Sequence, residues 1–261
     1  MPKAALWTLR LSIAALALAS ARNAWVPGSA INSWLFMKAG LPESVASGID
    51  RFGAALMVGV VISALVRPSR VLLLTGATWM LCVAFARWDN PGATADGLAP
   101  LSHAVRVGAL LALALLSGQP DHERRPSAGL AGWVLLLGTS LTFVGHGIEA
   151  LQHSGPFVDL IIGTVKRWTG QRLSQASAEQ LLTVIGLQDF LLAALLLLRR
   201  WRWIAGWMAI WGLATALSRV TSMGVDSWHQ SLLRLANGGV PLTLFLAWHH
   251  LIRLGSATRN P

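Results

Sequence analysis

Charged side chains are scarce in this chain of 261 residues, since Asp, Glu, Lys and Arg make up 12% of it while hydrophobic residues make up 54%. A soluble domain of this size carries roughly twice that share of charge. The composition therefore excludes an ordinary soluble domain and predicts an integral membrane protein. The length suits one helical bundle.

The chain has only one cysteine, Cys82, and no tyrosine. A single thiol excludes an intrachain disulfide and a Cys-x-x-Cys redox centre, and we expect Cys82 to pack within its apolar segment. The 13 tryptophans fit the aromatic belt of a membrane surface, where Trp is enriched. Those near the ends of apolar segments are Trp25, Trp34, Trp88, Trp168, Trp201, Trp203 and Trp228.

Several catalytic motifs are also missing. There is no phosphate-binding glycine loop, no Gly-x-Ser-x-Gly and no His-Glu-x-x-His, so neither a hydrolase nor a nucleotide-driven pump is supported. Acidic residues number 11 against 21 basic ones, which gives a net charge of +10. The arginines stand at the ends of apolar segments rather than on one soluble face, so this charge indicates membrane orientation. Nucleic acid is not an expected partner.

Long apolar segments dominate what remains. Because lipid cannot satisfy backbone polar groups, we predict that these segments are helices. A β-barrel is disfavoured, since 191–198 is apolar all round rather than alternating. The eight predicted transmembrane spans are 4–22, 52–66, 70–87, 103–118, 129–148, 180–198, 203–218 and 238–254.

The first span has an alternative interpretation. Lys3 and Arg10, the apolar stretch 11–19 and the small residues that follow it imitate a secretory signal within residues 1–21, with a cleavage site at its end. We favour a retained helix, because an internal repeat pairs this span with span five and its removal would break the first four-helix unit.

That repeat relates 65–87 to 197–219 by a shift of 132 positions, with eight of 23 residues identical and no gap. A repeat period indicates architecture. It predicts two tandem four-helix units, at 1–120 and 129–255, and therefore an all-α protein with eight transmembrane helices. Each unit has an even number of spans, so the two are parallel repeats related by an axis along the membrane normal.

Short basic loops set the predicted orientation. They and both termini are expected on the cytoplasmic side, in a bacterial inner membrane. The arginines in these loops are Arg67, Arg70, Arg124, Arg125, Arg199, Arg200 and Arg202. The long connections 23–51, 88–102, 149–179 and 219–237 then lie on the noncytoplasmic face, with amphipathic stretches at 31–39 and 157–168. Long connections are often functional, so we expect the site on this face.

The densest polar cluster holds His146, Glu149 and His153, which share one helical face at i, i+3 and i+7. Two imidazoles and a carboxylate are weak candidates for a metal site. The favoured alternative is that they end a span and hydrogen-bond locally, so no metal is predicted.

Gln188 and Asp189 lie about a third of the way into span six. A carboxylate at that depth is costly unless it is paired or faces water, which makes it a site candidate. Its candidate partners are His146, Arg219 and Arg234. The alternative is a structural ion pair.

Arg87 and Arg219 are matched by the repeat and end spans three and seven on the noncytoplasmic side. They are expected to anchor lipid phosphate, to pair with a carboxylate or to bind an anionic ligand. A polar cup above each unit, or simple helix capping, explains the other polar residues at these span ends: His103, Arg106, Asp226, His229 and Arg234. Haem is disfavoured, because His249 and His250 stand at a span end without a facing axial ligand.

Two stretches carry a family resemblance. Residues 145–151 form an apolar helix end with a His-Gly pair, and 186–198 read Gly-Leu-Gln-Asp before a long apolar run and a basic turn. The second half thus resembles the DoxX-like superfamily. The usual glutamate is absent, with Gln188 and Asp189 in its neighbourhood, and Glu149 stands near the place of the usual lysine. The first half looks like a degenerate copy, with Ala14 opposite His146.

The resemblance implies a four-helix bundle and, for some members, a subunit linked to thiosulfate–quinone or thiol redox chemistry. The leading hypothesis is therefore a membrane subunit or binding module with a polar cup, a quinone as a possible cofactor and membrane redox proteins as possible partners. Asp189 or Glu149 is the candidate for accepting and releasing a proton, while an arginine orients the anionic or quinone headgroup. Whether the protein is an enzyme stays open. The alternatives are a transporter of small solutes or lipids and a membrane scaffold.

Overall fold

A computed structural model describes residues 1–90, 96–117 and 124–253, and every regular element in these ranges is helical. Within them we number eleven α-helices. These are α1 Lys3–Trp25, α2 Ala30–Met37, α3 Glu43–Leu65, α4 Arg70–Trp88, α5 Ala99–Ser102, α6 Ala104–Leu116, α7 Arg124–Leu151, α8 Gly155–Thr169, α9 Gln175–Arg199, α10 Arg202–Met223 and α11 Trp228–Trp248. A π-helical turn, His249–Arg253, follows α11.

Five helical segments among the described residues are long and apolar enough to cross a membrane. They are Lys3–Met37, Glu43–Leu65, Arg70–Trp88, Ser127–Leu151 and Gln175–Arg199. The other three predicted spans fall on α6, which is apolar but has 13 residues, and on α10 and α11, which have 22 and 21. The all-helical architecture is thus confirmed, and it is compatible with an integral membrane protein.

Apolar side chains cover the outside of the bundle as well as its core. Leu18, Val71, Leu187 and Leu198 are exposed on different helices. An apolar exterior of this extent is unfavourable in water and suits contact with lipid. Cys82 is also exposed on α4, so the prediction that it packs inside is wrong.

The long helices pack against one another in a closed series. In order, α1, α3, α4, α6, α7, α9, α10 and α11 each contact the next, and α11 returns to pack along α1. The two shorter helices lie outside this series, with α2 against α3 and α4, and α8 against α9 and α10. These are the two amphipathic stretches predicted at 31–39 and 157–168.

Glycine allows close approach where two of these pairs cross. A Cβ atom on Gly186 of α9 would lie 2.9 Å from the carbonyl oxygen of Gly147 on α7. A Cβ on Gly212 of α10 would collide with the backbone oxygen of Asn237 on α11. Small residues at such crossings are typical of membrane helix packing, where backbones approach closely.

Side-chain hydrogen bonds fix the helix ends around α2. Asp50 accepts bonds from the backbone N–H and the hydroxyl of Ser29, which caps α2. Asp89, at the end of α4, accepts bonds from the Trp34 indole and from Lys38. These contacts join α2 to both neighbouring helices.

Three sequence-based boundaries are wrong. Helix α3 begins at Glu43 rather than 52, and α11 begins at Trp228 rather than 238, so much of the predicted loop 219–237 is helical. Because α9 begins at Gln175, Asp189 lies near its middle rather than a third of the way in. Several of the polar residues that suggested loops are buried or line a cavity, among them Asp50, His229, Gln230 and Arg234.

Some predictions lie outside the described residues. These include the central part of the loop 88–102, the side chains of Arg124 and Arg125, and the ends of the predicted units near 120 and 255.

Candidate functional site

A cavity of about 300 Å³ lies between α7, α8, α9, α10 and α11. Its wall is mainly apolar, with Phe157 and Ile161 of α8 on one side and Ile185 of α9 on another. The polar residues in its lining are His146, Thr164, Asp189, Thr215, Ser218, Arg219, Arg234 and Asn237. The cavity thus combines an apolar body with polar groups from several helices, a composition typical of ligand sites.

Asp189 is buried, with 5% of its surface exposed, and it lines this cavity from α9. The indole of Trp211 on α10 lies beside its carboxylate and lines the same cavity. One carboxylate oxygen has no partner among the described residues. Neither of the ion pairs found among the described residues, Lys38–Asp89 and His146–Glu149, includes Asp189.

His146 links two neighbouring side chains at the same cavity. Its Nδ1 lies 2.9 Å from Oε2 of Glu149, and its Nε2 lies 3.2 Å from the amide nitrogen of Asn237. Because an amide nitrogen only donates, Nε2 accepts and the imidazole proton lies on Nδ1, directed at Glu149. Glu149 is therefore an orienting partner behind His146 rather than part of the lining.

His153 lies apart from this cluster. Helix α7 ends at Leu151, and His153 adopts a positive φ of 50° beyond it. Its ring bonds to Thr183 at 2.9 Å instead. No group of three metal-ligating side chains occurs in the described ranges. The helical register that would align His153 with His146 and Glu149 is broken, so the structure does not bring these three side chains together.

Arg219 and Arg234 line the cavity from α10 and α11. The Arg219 guanidinium lies 5.7 Å from the ring centre of Phe157. The negative charge that attracts this guanidinium is that of Glu149. Arg234 donates to the backbone oxygen of Gln230 at 3.2 Å. Both predicted arginines therefore reach the site.

Gln188 and Arg87 do not line this cavity. Gln188 is the neighbour of Asp189 on α9, so it points along a different direction of the helix. Its amide nitrogen is buried without a partner in the described part of the chain. Arg87 lines a second cavity.

The second cavity, of about 280 Å³, lies between α1, α4, α6 and α11. Three arginines and two histidines line it: Arg87, Arg106, Arg234, His103 and His229. Arg234 belongs to both linings, so the two cavities meet at this side chain. His249 and His250 lie at the opposite end of α11 and line neither of them.

Trp211 and Asn237 are site residues that the sequence analysis did not select. Trp211 had a signal, since the repeat matches it to Trp79. Asn237 had none, because it fell in a predicted loop. The residues of α8 that line the cavity were not selected either, although the amphipathic pattern of this helix was recognised.

No known protein family, curated protein or solved structure matches this chain.

Proposed function

We propose that this protein is an integral membrane, DoxX-like binding module for an amphipathic ligand with a hydrogen-bonding headgroup, of which a membrane quinone is the best-fitting class. One observation carries the proposal. The apolar cavity of about 300 Å³ collects Asp189, His146 and Arg219 in a single lining. Its volume lies at the lower end of the range for small-molecule pockets, so it suits a headgroup with a short length of tail.

The polar groups are arranged for complementary roles. Asp189 offers an acceptor beside the Trp211 indole, and His146 is held by Glu149 and Asn237. Arg219 offers a cation to a carbonyl or anionic oxygen. Reduction of a quinone takes up protons as well as electrons, so Asp189 or the His146–Glu149 pair is the proposed proton route. The electrons would come from a partner redox protein in the membrane.

The proposal includes eight spans in two parallel four-helix units. Helix α9 begins 132 residues after α3, and α10 begins 132 after α4. The contact pairs agree with the same shift, since α1 packs on α3 as α7 does on α9, and α4 packs on α6 as α10 does on α11. These correspondences support duplication of one unit. The proposed location is a bacterial inner membrane with both termini in the cytoplasm, supported by the basic short loops.

Calorimetric titration of the purified full chain with a short-chain quinone tests the function. We expect saturable binding that weakens by at least about tenfold in Asp189→Asn and Arg219→Ala, since each loses a charged hydrogen-bonding group. Asp159→Asn and Arg172→Ala are matched controls, because both residues are exposed and outside the lining. Equal weakening in the controls, or no binding by the wild type, contradicts the proposal.

A transporter of small solutes or lipids is the second candidate, and one observation favours it. The two cavities occupy repeat-related positions, since Met80, Val83 and Arg87 line one where Gly212, Thr215 and Arg219 line the other. They meet at the junction of the proposed halves, where transporters with repeats place their substrates. Uptake of ligand by proteoliposomes containing the protein, with none in empty vesicles, would support transport over binding alone.

A further inference from the structure

Helix α8 forms one wall of the first cavity, although it lies outside the closed series of long helices. It packs against α9 and α10. The residues that it contributes to the lining are Phe157, Leu160, Ile161, Thr164 and Val165. Its last turn exposes Lys166, Arg167 and Trp168, a pattern typical of a helix that lies at a membrane surface. One wall of the cavity is therefore a peripheral helix.

Apolar packing holds α8 in this place. Within residues 1–90, 96–117 and 124–253, no side-chain hydrogen bond or ion pair joins α8 to another helix. Phe157 makes two ring contacts, at 5.9 Å to the His146 ring and at 5.7 Å to the Arg219 guanidinium. The hydroxyl of Thr164 is buried without a partner among the same residues. Polar bonds thus contribute little to the attachment of this helix.

Helix α2 has the corresponding place in the first proposed unit, since the shift of 132 positions carries 30–37 onto 162–169, within α8. Its attachment has the opposite character. Asp50 of α3 accepts two hydrogen bonds from Ser29, and Asp89 accepts one each from Trp34 and Lys38. Hydrogen bonds to two carboxylates therefore fix α2 to its neighbours.

Both of these carboxylates are replaced in the second proposed unit. The shift places Leu182 opposite Asp50 and Thr221 opposite Asp89. Leu182 has no acceptor to offer, and the Thr221 hydroxyl donates to the backbone oxygen of Ser218 within its own helix. The second unit thus has the peripheral helix without the bonds that fix it in the first.

The two kinds of attachment differ in what separation costs in a bilayer. Lipid tails are as apolar as leucine, so an apolar helix face that leaves the bundle still meets apolar surroundings. A carboxylate that loses its donors in the same surroundings finds no replacement for them. Separation of α8 from α9 and α10 therefore costs less free energy than separation of α2 from α3 and α4.

We propose that α8 is a lid on the first cavity, which opens to admit a ligand from the surrounding lipid and closes over its headgroup. The inference rests on the proposed binding function, because it concerns the regulation of the same site. A cavity of about 300 Å³ holds a headgroup with a short length of tail, so the rest of the tail passes out beside a helix that can move. Gly155 begins α8 and Gly170 follows it with a φ of 72°. Both ends thus carry the residue that best absorbs a backbone change.

Cysteine labelling tests the opening without a ligand. In a Cys82→Ser background, Val158→Cys and Ile31→Cys each place one thiol on the buried face of α8 or α2, where the native side chains are 6% and 9% exposed. In proteoliposomes, N-ethylmaleimide reaches these thiols when the helix separates from the bundle. We expect Val158→Cys to react at least about tenfold faster, because α2 has to break its hydrogen bonds first. Equal rates, or a faster reaction at Ile31→Cys, overturn the proposal.

A disulfide between α8 and α10 tests whether opening controls access to the cavity. A Cβ on Gly163 would lie 3.4 Å from the Cβ of Ser222, close to the spacing in a disulfide. Gly163→Cys/Ser222→Cys, again with Cys82→Ser, is oxidised either before or after a short-chain quinone is added. Oxidation before addition should slow quinone uptake by at least about tenfold, and oxidation after addition should slow its release by the same factor. Reduction should restore both rates, and each single cysteine variant is the control.

The outcomes distinguish the lid from the binding function. If α8 were a fixed wall, the disulfide would leave uptake and release unchanged, and that result overturns the lid. No quinone binding by the reduced protein contradicts the proposed function instead. The ratio of the labelling rates at Val158→Cys and Ile31→Cys then decides whether α8 opens, since that measurement involves no quinone.

Discussion

Asp189 is the residue on which the site depends most, because it combines burial near the middle of α9 with a free carboxylate oxygen among the described contacts. Sequence reasoning selected it for a simple reason: a carboxylate within an apolar helix is costly and marks a site. The same reasoning found His146, Arg219 and Arg234. It did not find Trp211 and Asn237, because neutral polar side chains give no such cost signal until the packing is known.

Asp189→Asn should leave the fold intact, because the side chain keeps its volume and an acceptor for the Trp211 indole. Removing a buried charge without an ionic partner is expected to change the free energy of unfolding by less than about 1 kcal/mol or to raise it. Thermal unfolding in detergent measures this. A loss of several kcal/mol would mean that Asp189 holds the bundle together and is not primarily a ligand group.

Asn237→Ala removes the donor to Nε2 of His146 and leaves that nitrogen without its bond. We expect destabilisation of about 1–3 kcal/mol, the cost of leaving a buried polar group unsatisfied. Denaturant titration measures it, with Asn32→Ala as the control, since the bond of Asn32 to Ser47 is long at 3.4 Å. An equal effect in the control would contradict a special role for the His146 contact.

The stabilisation that α2 gains from its hydrogen bonds to Asp89 should depend on pH. Hydrogen bonds from Lys38 and then Trp34 lower the pKa of Asp89 below its ordinary value. Because the folded pKa lies below the unfolded one, the stabilisation is present above the unfolded pKa, about 4, and is lost as pH falls through the folded pKa. Protection of the α2 amides from hydrogen exchange, taken relative to the intrinsic exchange rate at each pH, should therefore fall on acidification in the wild type. Asp89→Asn should lack that step, and an identical profile in both proteins would contradict it.

At the scale of elements, the apolar segments predicted helices correctly, while their ends were harder to place. Hydropathy locates the part of a helix that is apolar, but α3 and α11 continue through polar turns such as 43–51 and 228–237. Those turns are stabilised by contacts with other helices, which a single segment does not reveal. The prediction that His153 shares a helical face with His146 and Glu149 is wrong for the same reason. Helix α7 ends at Leu151, before His153, and the end of a helix decides which residues share its face.

Replacing glycine with alanine should change the free energy of unfolding in opposite directions at the α7–α9 crossing and at an open helix position. Gly186→Ala places a Cβ 2.8 Å from Leu151 and 2.9 Å from the Gly147 oxygen, so we expect a loss of about 1–3 kcal/mol. Gly48→Ala meets nothing within 4 Å and should gain about 0.5–1 kcal/mol from helix propensity. Thermal unfolding of both variants checks this, and stabilisation by both would contradict the close crossing.

At the scale of the whole molecule, composition predicted an all-helical protein with long apolar segments, and five helical segments among the described residues are long and apolar enough to cross a membrane. The all-helical bundle follows from the need to satisfy backbone groups in lipid. The closure of α11 onto α1 was not predictable, since it depends on side-chain fit between distant segments, such as the contact of Gly239 with Ser12. The position of both cavities depends on that closure.

The proposed topology predicts which positions a membrane-impermeant thiol reagent reaches in intact cells. With Cys82 replaced by serine, we expect labelling of Gln171→Cys from outside and protection of Arg67→Cys and Arg200→Cys until the cells are opened. All three residues are exposed in the bundle, so burial does not confuse the result. Labelling of Arg67→Cys in intact cells would contradict the proposed orientation, and labelling of only one of Arg67→Cys and Arg200→Cys would contradict the parallel arrangement.

The most direct test of the central claim is mass spectrometry of the protein purified gently from its native membrane, with proteins and small molecules identified together. A quinone retained in stoichiometric amount by the wild type and lost from Asp189→Asn is the predicted result. Protein that carries only bulk lipid, with the same lipid in both forms, would contradict the claim that the Asp189 cavity is a site for an amphipathic ligand.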